Sequence, residues 1–370
     1  LPFVGVGWYR TEFDVPQFQA GKRATILFDG AMSHANVYIN GQKVGYWPYG
    51  YNSFHFDITK YLKPGEKNTL AVRLENLPES SRWYPGAGLY RNVHLIITED
   101  AYIPVWGTYI TTPSVNEKFA KVNVRTKVVL PEGADPAKYS VETSVWNPNK
   151  QKLTAVRTSL AQMKYNNNQA EQEFVIQAPS LWSPEMPALY SAETRLYEGD
   201  KLKDIYTTPF GIRSIEIIPD KGFFLNGKRT VFKGVCNHHD LGPLGAAVND
   251  AAIRRQIRIL KDMGCNAIRT SHNMPAPELI RACDEMGMMI MAESFDEWNV
   301  AKCKNGYNLL FDEWAEKDLV NLLHNFRNNP SVVMWCIGNE VPNQWNEGDC
   351  KIAKWLQDIC HREDPRSEEH

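Results

Sequence analysis

The stretch Ser331-Val-Val-Met-Trp-Cys-Ile-Gly-Asn-Glu340 decides the fold that we predict for the second part of this sequence. Its continuous apolar run is typical of a strand that is buried on both faces of a parallel sheet. The run ends in Gly-Asn-Glu, and functional side chains of such sheets lie where the strands end. We therefore expect Asn339 and Glu340 to belong to a functional site. A carboxylate that only stabilises a helix N-terminus is the weaker interpretation of Glu340.

Apolar strands and amphipathic helices alternate around this stretch. The predicted strands are Asn266–Thr270, Met288–Glu293 and Val332–Ile337, and they are preceded by a hairpin and a strand within Phe223–Val235. The predicted helices are Asp250–Met263, Pro277–Met286, Glu313–Asn325 and one that begins with Lys351–Cys360. This alternation indicates a parallel sheet that is covered by helices.

Four consecutive predicted strands end in polar or ionisable residues, which is our main evidence for an active site. Arg269 on a central strand needs a buried anion, and Glu293 is a candidate for it. A purely structural His272 and a Trp298 that only packs at the rim remain open alternatives. The residues at the four strand ends are His238, His239 and Asp240, then Arg269, Ser271, His272 and Asn273, then Glu293, Asp296, Glu297 and Trp298, and finally Asn339 and Glu340.

The chain before residue 213 has the period of two that is typical of strands. In segment 1–103, Asn40-Gly41 between alternating apolar residues predicts a hairpin, and many short strands without helices indicate an antiparallel sandwich. Segment 104–212 fits an immunoglobulin-like sandwich that lacks the Cys–Trp–Cys pattern of antibody domains. With the strand–helix segment 213–370, we predict three domains.

The composition excludes several classes of function. A net charge of −2 and a pI near 6.6 give no broad basic surface for nucleic acid or an anionic membrane. The 7 cysteines are odd in number and form no C-x-x-C pair, which argues against a disulfide framework and a zinc site. No apolar run reaches the roughly 18–20 residues of a membrane span. The aromatic fraction of 11% is compatible with stacking on sugars.

Four motifs resemble glycoside hydrolase family 2, which contains β-galactosidases, β-glucuronidases and β-mannosidases. They are Trp8-Tyr-Arg10, Ser81-Arg-Trp-Tyr-Pro-Gly-Ala-Gly-Leu-Tyr-Arg91, Asn266-Ala-Ile-Arg-Thr-Ser-His272 and Arg327-Asn-Asn-Pro-Ser-Val-Val-Met-Trp-Cys-Ile-Gly-Asn-Glu340. The resemblance covers essentially the whole chain. It implies a jelly-roll sugar-binding sandwich at 1–103, an immunoglobulin-like sandwich at 104–212 and a (β/α)8 TIM barrel from residue 213.

The resemblance also implies the roles of individual residues in a retaining exo-glycosidase. Glu340 is then the general acid/base, and Asn339 contacts the sugar 2-OH. The Ser81–Arg91 loop looks most like that of β-galactosidases, with β-glucuronidase and β-mannosidase as alternatives. The other substrate-binding candidates are His272, His238, His239, Asp240, Trp298, Arg82 and Trp83. The supporting candidates are Arg269, Glu293, Asp296 and Glu297. Of His238 and His239, we expect one to face the sugar and the other to pack.

The sequence departs from the family pattern in three ways. Asn273-Met274-Pro275 stands where the family usually has Tyr-Pro after the signature histidine, here His272. The stretch Glu297-Trp298-Asn299 lacks the histidine with which some β-galactosidases bind Mg²⁺, so we predict no metal cofactor. A (β/α)8 barrel takes roughly 250 residues, and about 158 follow residue 212. We therefore expect only the first half of the barrel here, with the nucleophile outside the chain and a start that is truncated.

Two rival interpretations remain, and some properties are only weakly indicated. Glu340 could form a complete pair with Glu293 or Glu297, or the chain could be a non-catalytic carbohydrate-binding scaffold. We expect a carbohydrate partner, and a homo-oligomer is compatible with the sequence. The compartment is not determined, although the periplasm or secretion is favoured over the cytoplasm.

Overall fold

Among the residues that the structure describes, the first antiparallel sandwich contains seven strands. The computed structural model describes residues 4–17, 21–162, 169–341 and 347–366. One sheet has the order β1-β6-β3-β4 and the other β5-β2-β7. The predicted hairpin is present, since Asn40 and Gly41 join β3 to β4 with φ angles of 50° and 80°. The strands are β1 Gly5–Asp14, β2 Arg23–Phe28, β3 Ala35–Ile39, β4 Gln42–Trp47, β5 Phe54–Asp57, β6 Lys67–Asn76 and β7 Val93–Thr98.

The described part of the second sandwich also contains seven strands, with sheet orders β11-β10-β13-β14 and β12-β9-β8. Alternate residues are buried along β12 and β13, so period-two patterning places one face of each strand in the core. The strands are β8 Thr108–Val115, β9 Phe119–Lys127, β10 Tyr139–Trp146, β11 Lys152–Ser159, β12 Gln169–Gln177, β13 Tyr190–Glu198 and β14 Lys201–Phe210.

A small hairpin sheet leads into a parallel sheet whose strands lie side by side in chain order. The predicted alternation is therefore confirmed, with ends shifted by a few residues. For example, the helix predicted from Glu313 begins at Phe311. The elements are β15 Ile215–Ile218, β16 Gly222–Leu225, β17 Lys228–Arg229, β18 Gly234–Asn237, α1 Asp250–Asp262, β19 Ala267–Thr270, α2 Pro277–Met286, β20 Met289–Glu293, α3 Phe311–Phe326, β21 Val332–Cys336 and α4 Glu347–Glu363.

Local sequence signals explain the helix ends. The side chain of Asn249 caps α1 by accepting from the Ala252 N–H. Pro277 stands in the first turn of α2, and Gly287 ends that helix in the left-handed conformation with φ 73°. None of the helices in the described part of the chain has the length and apolarity that a membrane span requires.

The first sandwich packs against α3 through a buried carboxylate. Asp318 Oδ1 accepts hydrogen bonds from Trp47 Nε1 at 2.8 Å and Asn52 Nδ2 at 2.7 Å. Its other oxygen accepts from the Tyr307 hydroxyl at 2.5 Å. Burial raises the pKa of Asp318 to about 7, although these hydrogen bonds lower it. The contact fixes the sandwich beside the parallel sheet.

Arg91 makes a second link between these domains. Its guanidinium is buried and donates to main-chain carbonyls of Asp29 and Tyr51 in the sandwich, at 3.2 and 2.7 Å. It also donates to the carbonyls of Met274 and Pro275 after β19, at 2.8 and 3.1 Å. The two links bring the loop between β6 and β7 to the carboxyl ends of the parallel strands.

Candidate active site

The carboxyl ends of β18–β21 bring together most of the predicted polar residues, and the β6–β7 loop adds Arg82 and Trp83. Glu293, at the end of β20, is the deepest member, with a side chain that is 0% exposed. Arg269 on β19 donates to both of its carboxylate oxygens, at 2.9 and 2.8 Å. The buried anion expected for Arg269 is thus Glu293. Burial tends to raise the pKa of Glu293, whereas the two hydrogen bonds and the charge of the Arg269 guanidinium oppose that rise and favour the carboxylate.

His272 lies beside Glu293, with Nδ1 at 3.1 and 3.2 Å from the two carboxylate oxygens. Burial, followed by the charge of Arg269, lowers the pKa of His272 to about 4. The imidazole is therefore neutral near pH 7. When Nδ1 donates to Glu293, Nε2 is left as a hydrogen-bond acceptor.

An aromatic cluster borders His272 on the side of the first sandwich. The Trp83 ring lies 5.0 Å from that of His238 and 5.9 Å from that of His272, measured between centroids. Trp83 Nε1 donates to the hydroxyl of Tyr51 at 3.1 Å, which fixes the indole. Because His238 is exposed, it is the member of the His238–His239 pair that faces the open edge.

Asp296 connects three positively charged or amide groups. Arg82 donates to its two oxygens at 3.1 and 2.7 Å, and Asn339 Nδ2 donates to Oδ1 at 2.9 Å. The Lys302 ammonium lies 3.2 Å from Oδ1. Burial raises the pKa of Asp296, but Arg82, Asn339 and Lys302 outweigh it, so that pKa lies below its usual value. Asp296 is therefore an ionised centre of the site.

Glu340 follows directly after Asn339 and reaches solvent, with a side chain that is 74% exposed. One carboxylate oxygen lies 3.5 Å from Arg82 Nη1. Its φ of 42° places the backbone in the left-handed region, which is uncommon for a residue other than glycine. The amide oxygen of Asn339 accepts from Arg269 at 3.1 Å. Arg269 thus fixes the side chain of Asn339, while the carboxylate of the adjacent Glu340 stays accessible.

Other predicted site residues have different surroundings. Trp298 is 6% exposed and donates from Nε1 to the Ile337 carbonyl at 2.8 Å, so it packs under the site, in contrast to the predicted sugar contact. His239 Nε2 lies 2.9 Å from the Pro85 carbonyl, and burial lowers the pKa of His239 to about 4. An Asp240 oxygen accepts from the Gly242 N–H at 3.2 Å, within its own turn.

Glu297 anchors a loop instead of facing the strand ends. Its two oxygens accept from the backbone N–H groups of Lys302 and Asn308, at 2.5 and 3.1 Å. In the described part of the chain, no group of three or more His, Cys, Asp or Glu is arranged to hold a metal ion. The prediction that no metal cofactor is used stays a prediction. The two backbone hydrogen bonds give Glu297 a structural role in the loop.

Lys302 and Tyr51 belong to the site and were not predicted from the sequence. Lys302 lies in the loop between β20 and α3, and Tyr51 in the segment between β4 and β5. Neither lies directly at a strand end of the parallel sheet, and neither lies in a recognised motif. Tyr51 is revealed by its contact with Trp83, and Lys302 by its contacts with Asp296 and Asn339.

A cavity of about 840 Å³ lies elsewhere, along β21 and α4. It is lined by groups that include Arg213, Trp335 and Lys354, but not by Asn339 or Glu340. The carboxylates and histidines described above lie at the strand ends. We therefore take the strand ends, and not this cavity, as the candidate active site.

Comparison with known proteins assigns the three domains to one family. Family models match at residues 3–99, described as glycosyl hydrolases family 2, sugar binding domain, and at 102–213, described as glycosyl hydrolases family 2. A third model, described as glycosyl hydrolases family 2, TIM barrel domain, matches residues 216–365.

Individual relatives carry two kinds of name. The chain is 46% identical to the beta-galactosidase BoGH2A of Bacteroides ovatus, over 93% of this chain and 40% of that protein. It is 38% identical to a putative beta-glucuronidase of Formosa agariphila, over 91% of this chain and 32% of that protein. A solved glycosyl hydrolase family 2 member from Bacteroides cellulosilyticus superimposes with a TM-score of 0.92 at 36% identity, covering 97% of this chain and 46% of that one. The chain therefore spans less than half the length of these relatives.

Proposed function

The chain belongs to glycoside hydrolase family 2, and on that premise we propose that it is part of a retaining exo-glycosidase that releases terminal β-D-galactosyl residues. The observation that carries the proposal is the placement of Glu340. Its carboxylate is accessible at the end of β21, while its neighbours Asn339, Asp296 and Arg269 are fixed by charged hydrogen bonds. Such a rigid support is what a general acid needs to meet a glycosidic oxygen.

In the proposed mechanism Glu340 donates its proton to the glycosidic oxygen as the bond to the anomeric carbon breaks. A second carboxylate attacks that carbon and forms a covalent glycosyl ester. Glu340 then takes a proton from a water molecule whose oxygen attacks the anomeric carbon and displaces the carboxylate, which releases the sugar. Asn339 is only 3% exposed, but its amide keeps a second N–H and a second oxygen lone pair, which a sugar hydroxyl would use if it reached the end of β21. His272 Nε2, neutral at pH 7, is an acceptor for another hydroxyl.

We do not assign the nucleophile to Glu293 or Glu297. Glu293 is bound by Arg269 and His272 and is buried, and Glu297 binds two backbone N–H groups. The attacking carboxylate must be free to reach the anomeric carbon. In a retaining enzyme its carboxyl group lies about 5–5.5 Å from that of the general acid. We propose that it is supplied by a part of the protein outside these 370 residues.

The ion pairs at the strand ends favour a neutral sugar over a uronic acid. In the described part of this edge, Arg82 and Lys302 pair with Asp296, and Arg269 pairs with Glu293. Each of these cations therefore already has a carboxylate partner, which makes it a weaker candidate for binding a sugar carboxylate. The beta-galactosidase name of BoGH2A agrees with this choice. The names of other relatives make β-glucuronidase the second candidate.

The test uses the full-length protein and aryl β-D-galactoside, β-D-glucuronide and β-D-mannoside. We expect hydrolysis of the galactoside with retention at the anomeric carbon, followed by NMR, and a loss of about 100-fold or more in kcat/KM in Glu340→Gln. Glu313→Gln on α3 is the matched control, since its side chain is 72% exposed and pairs with Lys317 of the same helix. Glycan binding with no turnover of any of the three would support the scaffold alternative instead.

A further inference from the structure

Lys302 is a buried lysine whose ammonium group has an acceptor for each of its N–H donors. Its side chain is only 9% exposed. Nζ donates to the Asp296 carbonyl at 2.7 Å, to Asp296 Oδ1 at 3.2 Å and to the Asn339 carbonyl at 2.5 Å. An ammonium group has three N–H donors, and here each has an acceptor. A charged group is buried in this way only when such partners compensate for its lost hydration.

The third acceptor connects Lys302 to Glu340. The Asn339 carbonyl belongs to the peptide unit that precedes Glu340, and φ of Glu340 is the rotation that follows this unit. A φ of 42° costs a residue other than glycine about 1–3 kcal/mol and persists only when its surroundings enforce it. A charge-assisted hydrogen bond to that carbonyl is a direct way to enforce it.

The loop that carries Lys302 is itself anchored. The Lys302 backbone N–H donates to Glu297 Oε2, and the Asn308 N–H donates to Oε1. Gly306 lies so close to this carboxylate that a Cβ there would be 1.8 Å from Oε1. The ammonium is thus set in place by the loop before any substrate binds.

We propose that Lys302 is a positioning residue for the proton donor. By binding the Asn339 carbonyl, it holds the Glu340 backbone in the left-handed conformation that directs the carboxylate to the glycosidic oxygen. This proposal rests on the proposed role of Glu340 as proton donor, and it adds Lys302 as a residue that supports that role. Arg82 and Arg269 hold side chains of the site, whereas Lys302 holds the peptide unit next to Glu340.

The test compares Lys302→Met with Lys302→Arg in the full-length protein. Lys304→Met is the matched control, because Lys304 is an exposed lysine of the same loop. The readout is kcat/KM for aryl galactosides with leaving groups of different pKa, since a poor leaving group needs the acid and a dinitrophenolate does not.

For Lys302→Met we expect a loss of about 100-fold with poor leaving groups and less than about 3-fold with dinitrophenolate. Lys302→Arg should restore part of the difference, and Lys304→Met should match the parent. An equal loss for all leaving groups, or none, would overturn the proposal, because a purely structural role does not distinguish them.

Two further measurements separate this proposal from the proposed function. If the parent hydrolyses none of the glycosides, the proposed function fails, and a crystal structure of Lys302→Met still tests the contact. We expect the Asn339–Glu340 peptide to rotate and Glu340 to leave positive φ. An unchanged peptide in a variant with parental thermal stability would refute the role of Lys302.

Discussion

Arg82 and Asp296 join two domains at the site through a two-pronged ion pair between residues 214 positions apart in the chain. The same guanidinium lies 3.5 Å from Glu340. The first sandwich thus contributes a charge to the chemistry of the parallel sheet, in addition to its packing.

Replacing Arg82 by Met should affect activity more than stability. Arg82 is partly exposed, and exposed ion pairs contribute only about 0–1 kcal/mol. We expect a melting temperature close to that of the parent, and a fall of about 10-fold in kcat/KM because Asp296 and Glu340 lose a positioning charge. Arg23→Met, which breaks the exposed pair with Asp57, is the control. An unchanged kcat/KM would contradict this prediction.

Replacing Glu293 by Gln should destabilise the fold. Its carboxylate is buried, and its loss leaves Arg269 without an anion, which typically costs about 3–5 kcal/mol. Urea unfolding of the parent, Glu293→Gln, Arg269→Met and the double variant gives the coupling free energy between the two side chains. We expect the double variant to be more stable than the sum of the single losses predicts. Additive losses would show that the pair is not coupled.

Asp318 should make stability depend on pH. Its folded pKa of about 7 lies above the unfolded value, so folding favours the protonated form. The contribution is full below about pH 4 and is lost as pH rises towards 7. Asp318→Asn keeps an acceptor for Trp47 and Asn52 and removes this titration. Between pH 5 and 8, we expect the melting temperature of the parent to fall more than that of the variant. Parallel curves would contradict the assignment.

Gly306 should not tolerate a side chain. A Cβ at this position would be 1.8 Å from Glu297 Oε1, so Gly306→Ala must displace the carboxylate that holds the Lys302 loop. We expect a loss of about 1–3 kcal/mol of stability and a parallel loss of activity. Gly7→Ala, whose Cβ would lie 3.9 Å from Cε2 of Tyr9, is the control. Thermal unfolding and kcat/KM together give the answer.

The sequence predicted those parts of the site that follow from strand ends. Apolar strands and the polar residues after them placed Arg269, Glu293, Asn339 and Glu340 at one edge, because parallel strands end together. Trp298 follows the end of β20, as predicted, yet its side chain packs beneath the site. The direction of a side chain beyond a strand depends on the loop path, which no local pattern encodes.

The sequence could not predict contacts between distant segments. Lys302 gives no local signal, since its role depends on a loop fold that Glu297 and Gly306 set. The partner of Arg82 is decided by how the first sandwich docks, through Asp318 and Arg91. Domain bounds at 103 and 212 stay predictions, and so does a half barrel, of which the structure describes four parallel strands with their helices.

Arg91 links the two domains without depending on the side chains of the residues that it binds. It binds main-chain carbonyls on both sides of the boundary, and every residue type offers such a carbonyl. Substitutions at Met274 or Pro275 therefore leave its acceptors in place as long as the backbone follows the same course. We expect sandwiches and sheets from different relatives to be exchangeable by recombination when they keep the arginine and this course, and to fail when either is lost.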